Sequence, residues 1–513
     1  MRFLYDNAAV IGVALLCSAF TWLYGGTVAA ELLPTIPWLI ALVCELMICF
    51  PQRHAGETTF EARRRVWRAV KSDPLTWVAV FFLLLLLVPF VNKGLCPSCN
   101  YPEIAFDGAR QAPPFPSMPF CVNRLEHLNV TVWFYSALIA MLAVKHALLK
   151  RGKRKVLELI VWNGMALSAI GLLQYITNAS APLWADEKEW GEKVYFFSTF
   201  GYSNMAGDYF VTLFALSIAL WRRKVDEVSY SERVTEVKSN GHDVFWKKHY
   251  FLIPAVVFFL SAFMTLSRAA IILASLLALV FFMHSLVSFL HSANRVKRVK
   301  LVAMNIVALA IVSALFYVVT TKSDSIIESG DFNKELSTIN SNAVLDRISG
   351  KDQYHFRVAT DVWLDNFLFG CGGWGYKHFA IDKMTDEDFE NIQEVGGINV
   401  HNDFLQFLAE HGLVGFLLIV AMLVLLLVPV VRTWRRLIVT ASFLKGSKRP
   451  ARPIAIFALP ASAFCILLAM VATLLHSMGD CPLRSPAVMS LFFVMIAAID
   501  GFMPSLSDDE NQS

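Results

Sequence analysis

The chain has 513 residues, of which 56% are hydrophobic and only 17% are charged, and its formal net charge at pH 7 is +4. Together with a mean hydropathy of +0.53, this composition excludes an ordinary soluble domain and predicts a polytopic membrane protein. The small positive charge is explained by basic loops between apolar blocks, so it predicts no nucleic-acid partner.

Apolar blocks long enough to cross a bilayer recur along the chain. They predict an all-α bundle of about twelve transmembrane helices. In chain order the blocks are Ala8–Leu23, Leu33–Phe50, Leu75–Val91, Val130–Leu149, Val156–Ile176, Tyr209–Trp221, Tyr250–Leu266, Ala269–Leu290, Leu301–Thr320, Leu413–Val431, Ile454–Leu475 and Pro486–Phe502.

Lysine and arginine collect in the loops after the even-numbered blocks, as in Arg63–Arg65 and Lys150–Lys155. Short cytoplasmic loops hold the excess of basic residues in membrane proteins. We therefore expect both termini to be cytoplasmic and the odd-numbered loops to face the periplasm. The first block follows a single arginine and an acid with no convincing cleavage site, so we expect a retained span and not a signal peptide.

Five of the nine cysteines fall in predicted outer loops, namely Cys96, Cys99, Cys121, Cys371 and Cys481. An oxidising compartment would allow some of them to pair. The "CPSC" stretch could be redox-active or half of a zinc site, but a structural disulfide, with Cys121 as one possible partner, is the favoured interpretation.

The large outer loop, residues 321–401 of a single transmembrane domain spanning 1–513, is the longest polar segment of the chain. It contains helical spacing at Phe356, Ala359, Val362 and Trp363, followed by the glycine-rich stretch 370–375. This pattern predicts an amphipathic helix that lies over the bilayer face and ends at a turn. The chain contains no P-loop and no Gly-rich nucleotide fingerprint, which argues against nucleotide chemistry at the inner face.

Four polar clusters share the predicted outer rim. They contain Asn204 in "FGYSNMAGD", Ser267 and Arg268 in "TLSRAA", Arg357 in the loop helix, and His401, Asn402 and Glu410 at the start of the tenth block. A charged arginine in so short an apolar connection needs an anionic partner, which makes Arg268 a candidate for binding phosphate. A neutral imidazole is well suited to accept a proton from a hydroxyl, which makes His401 a candidate base.

Simpler interpretations exist for each of these residues. Arg268 could be an interfacial residue whose charge reaches the headgroups, Asn204 could only cap a turn, and His401 could belong to a helix cap. Arg357 could form an ion pair with Asp361 or Asp352.

Other polar residues of the outer loops could also contribute to a site. The acidic stretch 386–388 could bind a metal ion, although a solvated surface is the favoured interpretation. His476, Asp480 and Arg484 in the last outer loop could join the site, but their residue types alone do not separate this from ordinary loop polarity.

The order of these motifs resembles the O-antigen ligase superfamily, which includes O-antigen ligases, O-antigen polymerases and related protein O-oligosaccharyltransferases. The resemblance covers residues 198–415 and depends on a G-x-x-N-x-A segment, "SRAA", an arginine-containing loop helix ending in "FGCGGWGYKHF", and "HNDFLQFLAEHGLVG". It implies a GT-C-like architecture in the bacterial inner membrane and a role in lipopolysaccharide or other cell-surface polysaccharide assembly.

The resemblance also implies a reaction. A glycan would pass from undecaprenyl diphosphate to an acceptor hydroxyl at the periplasmic face, without a cofactor or an essential metal. His401 would be the catalytic base, Arg268 and Arg357 would bind the diphosphate, and Asn204 and Asn402 would shape the pocket. Ser267 and Glu410, which belong to the same motifs, would also contribute to substrate binding.

The sequence departs from the family pattern in two motifs. Tyr195 and Ser203 stand where the family often has arginine and proline, and Asn366 replaces a proline in "DNFLFG". The first departure affects the predicted diphosphate site, and the second affects only a turn.

Two alternatives to a ligase remain. An O-antigen or exopolysaccharide polymerase would use the same chemistry with another acceptor. A secondary transporter of a polar or anionic solute would place charged groups near the middle of the membrane, where the predicted spans contain few, chiefly Glu45, Glu158 and His284.

Overall fold

The computed structural model describes residues 2–23, 25, 35–92, 113–115, 117–185, 196–235, 241–290, 353–385, 388, 399–443 and 459–503. Within these ranges the chain is helical and has no β-strand, so the predicted all-α membrane class is confirmed. The helices are α1 (Arg2–Trp22), α2 (Ile36–Cys49), α3 (Thr59–Ser72), α4 (Pro74–Leu85), α5 (Arg124–Ala147), α6 (Lys150–Ile176), α7 (Ser203–Thr235), α8 (Gly241–His249), α9 (Leu252–Met264), α10 (Arg268–Leu290), α11 (Gln353–Asp365), α12 (Tyr376–Ala380), α13 (Asp403–Phe443), α14 (Ala461–His476) and α15 (Pro486–Ala498).

Six described helices are long and apolar enough to cross a membrane, or seven if the bent pair Thr59–Ser72 and Pro74–Phe90 forms one span. Four further apolar helices are shorter, and the predicted block Leu301–Thr320 lies outside the described residues. The number of about twelve spans therefore stays a prediction. The short block Tyr209–Trp221 is part of the 33-residue helix α7, which starts earlier because Ser203 to Asp208 are helical as well.

The described chain divides into two compact units. The first unit contains residues 1–160, 347–431 and 473–501. Its central helix is α5, which is buried along most of its length and packs against α1, α2 and α15. The second unit contains residues 161–346, 432–472 and 502–513. There α7 packs against α9 and α10.

The predicted loop helix is present as α11 and belongs to the first unit. Val358, Ala359 and Val362 are fully buried in a core that also contains Tyr376 of α12 and Val400. Burial of positions 358, 359 and 362 is the helical periodicity expected from the sequence.

Polar contacts tie the glycine-rich segment after α11 to α5. The Gly373 amide donates to His127 Nδ1 at 3.0 Å, and His378 Nε2 lies 2.9 Å from Glu126 Oε2. Lys377 also forms an ion pair with Glu126. These contacts hold residues 373–378 in a fixed position against α5.

Candidate active site

The first unit contains a polar cluster at the start of α13, where the loop between α14 and α15 (residues 477–485) meets this helix. Asn402 Oδ1 accepts a hydrogen bond from the Leu405 amide at 3.0 Å, and the Asn402 side-chain amide donates to the Met478 carbonyl at 3.0 Å. The Asp403 amide donates to the Ser477 carbonyl at 2.9 Å, and Asp403 Oδ2 accepts from the Leu483 amide at 2.9 Å. Asn402 therefore acts as a helix cap, and it also fixes the α14–α15 loop beside the helix.

His401 lies directly before this cap and faces a carboxylate. Its Nδ1 atom is 3.4 Å from Asp480 Oδ1, and the His401 backbone has a positive φ of 50°. Few non-glycine residues adopt this conformation, and the imidazole contacts the α14–α15 loop at Asp480. The His401 side chain is 27% exposed, whereas that of Asp480 is 7% exposed. The pair therefore has one side buried and the other open to solvent.

Asp480 is held in its ionised form. Burial raises the pKa of its carboxyl, but the hydrogen bond and positive charge of His401 outweigh this effect. Together with the neighbouring His476 and the Cys481 amide, which donates to Asp480 Oδ1 at 2.8 Å, they bring the pKa to about 2. A carboxylate on Nδ1 fixes the orientation of an imidazole and stabilises the imidazolium that forms when the other nitrogen accepts a proton.

His355 of α11 forms another wall of this cluster. Its ring centroid is 5.8 Å from that of His401 and the two rings are inclined at 69°. Burial, together with the nearby His401, lowers the pKa of His355 to about 4. At neutral pH His355 is therefore an uncharged neighbour that adds bulk and no competing charge.

Glu410, two helical turns beyond His401, forms a buried ion pair with Arg484. The guanidinium nitrogens Nη1 and Nη2 lie 3.1 and 3.0 Å from Glu410 Oε1, and Nη2 is also 3.1 Å from Oε2. The Arg484 guanidinium stacks over the ring of Trp374, 3.9 Å from its centroid. The two charged side chains are only 10% and 4% exposed. The pair therefore joins the α14–α15 loop, α13 and the glycine-rich turn at one point.

The helix α13 is interrupted at Gly412, whose φ of 66° and ψ of −175° are outside the helical region. Such an interruption frees backbone groups that a buried segment must satisfy. Residues 367–372 supply the partners. The Cys371 and Gly372 amides donate to the carbonyls of Ala409 and Glu410, and the Leu413 and Val414 amides donate to those of Phe367 and Leu368, at 2.8–3.0 Å.

The two backbone segments are so close that only glycine fits at positions 370 and 412. A Cβ atom on Gly370 would lie 2.3 Å from the Glu410 carbonyl carbon, and one on Gly412 would lie 2.3 Å from the Leu368 oxygen. The glycine-rich turn and the Glu-His-Gly segment of α13 therefore form one backbone assembly. Its construction explains why the two motifs occur together.

An apolar groove opens beside the Glu410–Arg484 pair and encloses about 950 Å³ of empty space, including the part open to its mouth. Its walls are mainly aromatic and aliphatic, with Phe134, Phe407, Ile419 and Leu423 among them. The ionisable side chains that line it are Asp403, Glu410, His411 and Arg484. A groove of this kind can accept an amphipathic molecule whose polar part meets the ionisable residues.

The second unit contains the predicted motifs around Asn204 and around Ser267 and Arg268. Gly207 of α7 packs so closely against the turn before α10 that a Cβ there would lie 3.0 Å from the Ser267 Cβ. Ser267 caps α10 by accepting a hydrogen bond from the Ala270 amide at 3.3 Å, and Arg268 is the first residue of that helix. Asn204 starts α7 and donates to the Tyr202 hydroxyl at 3.0 Å. The two sequence motifs are thus adjacent within this unit.

Arg357 is exposed on α11 and is engaged by acidic groups. Its guanidinium forms an ion pair with Asp388 and a weaker one with Asp361, 3.9 Å away, and donates to the Lys383 carbonyl at 3.3 Å. The partner expected at Asp361 is present, and the stronger contact to Asp388 was not expected. Asp352, the other predicted partner, lies outside the described residues.

The structure thus brings His401, Asn402 and Glu410 together with two residues that the sequence indicated only weakly, Asp480 and Arg484. His355 and Trp374 were not predicted to belong to the cluster. Asp480 and Arg484 are 79 and 74 residues from their partners. The only sequence signal for them is their position in a loop that is predicted to lie on the same side of the membrane as His401.

A match to a known protein family supports an interpretation of this cluster. Residues 253–420 match the family model described as O-Antigen ligase. This part of the chain is O-antigen ligase-like. A comparison with individual curated proteins found no match. The match, with the apolar helices, indicates an O-antigen ligase-like or polymerase-like membrane enzyme and confirms the resemblance predicted from the sequence.

The O-antigen ligase-like region includes most of the predicted site residues. Ser267, Arg268, Arg357, His401, Asn402 and Glu410 lie within the match. Asn204, Asp480 and Arg484 lie outside it, so the contacts of His401 and Glu410 with the α14–α15 loop join matched and unmatched parts of the first unit.

Cys121, Cys371 and Cys481 are not disulfide-bonded in the described part of the chain. Cys121 instead donates a weak hydrogen bond from Sγ to the Pro89 carbonyl at 3.3 Å. Cys96 and Cys99, for which a disulfide was the favoured interpretation, lie outside the described residues. The pairing suggested for them therefore stays a prediction.

Proposed function

We propose that this protein transfers a glycan from a polyprenyl diphosphate to an acceptor hydroxyl at the periplasmic face of the bacterial inner membrane. The observation that carries the proposal is the His401–Asp480 pair, which stands at the mouth of the spanning helix α13 with the imidazole partly open to solvent. The O-antigen ligase-like match across the same segment supports this class of reaction.

His401 is the proposed catalytic base. With Nδ1 directed at the Asp480 carboxylate, Nε2 is left to accept the proton of the acceptor hydroxyl. The acceptor oxygen then forms a bond to the anomeric carbon as the bond from that carbon to the diphosphate oxygen breaks. The polyprenyl diphosphate leaves with the bonding electron pair, and Asp480 stabilises the imidazolium until its proton returns to solvent.

Cationic hydrogen-bond donors are needed where negative charge develops on the leaving group. We assign this role to Arg268 and Arg357. Asn204 and Ser267 shape the surroundings of Arg268, a role supported by the contact of Gly207 with the Ser267 turn. Arg357 would exchange its contact with Asp388 for a phosphate oxygen.

Asn402 and Glu410 complete the proposed substrate site. Both already have protein partners in the structure, Asn402 at the Met478 carbonyl and Glu410 at Arg484. We therefore propose that they act mainly by fixing the wall of the pocket.

Both termini are proposed to be cytoplasmic, in keeping with the distribution of basic residues.

Purified protein in nanodiscs tests the reaction directly. A polyprenyl-diphosphate oligosaccharide is offered with a panel of acceptors, and the same glycan on a polyprenyl monophosphate serves as the donor control. We expect transfer from the diphosphate with release of polyprenyl diphosphate, and the acceptor used distinguishes a ligase from a polymerase. Equal transfer from the monophosphate would contradict the assigned leaving group.

A variant pair tests the assignment of Arg268. Arg268→Gln removes the charge, whereas Arg268→Lys keeps it without the planar fork of donors. We expect transfer to fall by about 100-fold or more for the glutamine variant and by less for the lysine variant. Equal activity of wild type and Arg268→Gln would overturn the assignment while leaving that of His401 standing.

A further inference from the structure

A second chemical property of the His401 cluster lies in the residue that follows Asp480. A ring nitrogen of His401, a carboxylate oxygen of Asp480 and the Cys481 thiol all lie within 4.8 Å of one another. His401 Nδ1 is 3.4 Å from Asp480 Oδ1, and Cys481 Sγ is 3.4 Å from the same oxygen. Three different ligand types therefore converge on one point.

The two separations of 3.4 Å fit a tetrahedral zinc ion. Metal–ligand bonds of about 2.0–2.3 Å place neighbouring ligand atoms about 3.3–3.7 Å apart. Imidazole, thiolate and carboxylate are the ligands that zinc prefers, and the combination of nitrogen and sulfur disfavours calcium and magnesium. The charges also match, because an ionised Asp480 and a Cys481 thiolate together neutralise a divalent cation.

We propose that His401, Asp480 and Cys481 form a binding site for Zn²⁺ with the fourth position open to water. The ion enters from the side of His401, whose side chain is 27% exposed, because Asp480 and Cys481 are buried. Binding moves the imidazole proton from Nδ1 to Nε2 and releases one proton from the thiol.

The consequence for catalysis rests on the proposed function. When zinc occupies Nδ1, Nε2 carries a proton and has no lone pair for the acceptor hydroxyl. The ion also takes the carboxylate that orients the imidazole. Zinc is therefore a reversible inhibitor that acts on the base itself, and a chelator restores transfer.

Cobalt substitution tests the metal site without any assay of transfer. Co²⁺ bound to a thiolate gives an intense charge-transfer band in the near ultraviolet, and zinc displaces it. Full-length protein in nanodiscs is used in a Cys96→Ser, Cys99→Ser background, so that the CPSC pair cannot supply the thiolate. Size-exclusion profiles and thermal unfolding verify that each variant is folded.

We expect the band in the background protein, its loss in Cys481→Ser, and its retention in Cys371→Ser, a buried cysteine of the same unit that is outside the cluster. His401→Ala should weaken cobalt binding. Absence of the band in the folded background protein, or its retention in Cys481→Ser, would overturn the site.

The inhibition is measured separately, as the ratio of transfer with and without zinc chloride within each variant. We expect a large loss for the background protein, reversed by EDTA, and little loss for Cys481→Ser. Equal zinc sensitivity of the two proteins would refute inhibition through this site. If no acceptor supports transfer, the proposed function fails, whereas the cobalt spectrum still decides whether the metal site exists.

Discussion

The substitution Gly412→Ala should destabilise the protein far more than alanine at a surface glycine. Gly412 has φ 66° and ψ −175°, a conformation that is almost restricted to glycine and costs other residues about 1–3 kcal/mol. Its Cβ would also lie 2.3 Å from the Leu368 carbonyl oxygen, so the two segments must separate by about 1 Å to reach ordinary contact.

The separation has a second cost. It stretches the hydrogen bonds from the Leu413 and Val414 amides to Phe367 and Leu368, each of which contributes about 0.5–1.5 kcal/mol. With the conformational strain, the expected loss in free energy of unfolding is about 2–6 kcal/mol. Because the same contact positions Glu410, transfer activity should fall as well.

Two glycines provide matched controls in the same unit. Gly56 has a positive φ of 79° but nothing within 4 Å of the added Cβ, and Gly479 has open space without a positive φ. We expect a loss of about 1–2 kcal/mol for Gly56→Ala and within about 0.5 kcal/mol for Gly479→Ala. Equilibrium unfolding in dodecylmaltoside–SDS mixed micelles, followed by circular dichroism, measures the series. If Gly412→Ala costs no more than Gly56→Ala, the reasoning about the backbone contact is wrong.

Three further predictions concern buried charges of the first unit. Arg484→Met should lower the free energy of unfolding by about 3–5 kcal/mol, because Glu410 is left buried without its partner. The double variant with Glu410→Gln should lose less than the sum of the two single changes. Strict additivity would mean that the pair is not coupled. The low pKa of Asp480 predicts that its carboxylate contributes about 2 kcal/mol above pH 4 and that this contribution disappears as the pH falls toward 2. The difference in unfolding free energy between wild type and Asp480→Asn should therefore shrink as the pH falls from about 4 to about 2, and an unchanged difference over that range would contradict the assigned pKa. Asp500→Asn should lower the free energy of unfolding by about 1–3 kcal/mol, because the Lys153 side chain is only 5% exposed and contacts both Asp500 oxygens at 2.7 and 2.9 Å. An unchanged unfolding curve would show that solvent replaces this contact.

The sequence predicts the helices well because hydrophobicity and periodicity are local properties. The loop helix α11 follows its apolar spacing, with Ala359 and Val362 buried as expected. The block at Tyr209 was set too short because polar residues such as Asp208 were placed outside the helix. Asp208 is fully buried in α7, so its polarity is tolerated by tertiary contacts that a hydropathy pattern does not contain.

The candidate site was predictable only in part, for the same reason. The motif supplied His401 and Glu410, but their partners Asp480 and Arg484 lie more than 70 residues away in a loop with no distinctive pattern. The interruption at Gly412 likewise depends on the backbone of residues 367–372, which satisfies groups that an isolated helix would leave unpaired. Arg357 took Asp388 as its main partner, and no helical spacing could indicate a residue 31 positions away.

The central claim is that His401 is the catalytic base, and one comparison tests it most directly. Initial rates of glycan transfer in nanodiscs are measured for wild type, His401→Ala and the control His54→Ala, an exposed histidine of the same unit. The account predicts a loss of about 10²–10⁴-fold for His401→Ala, with unchanged donor binding, and a wild-type rate for His54→Ala. A folded His401→Ala protein that transfers glycan at the wild-type rate would contradict it.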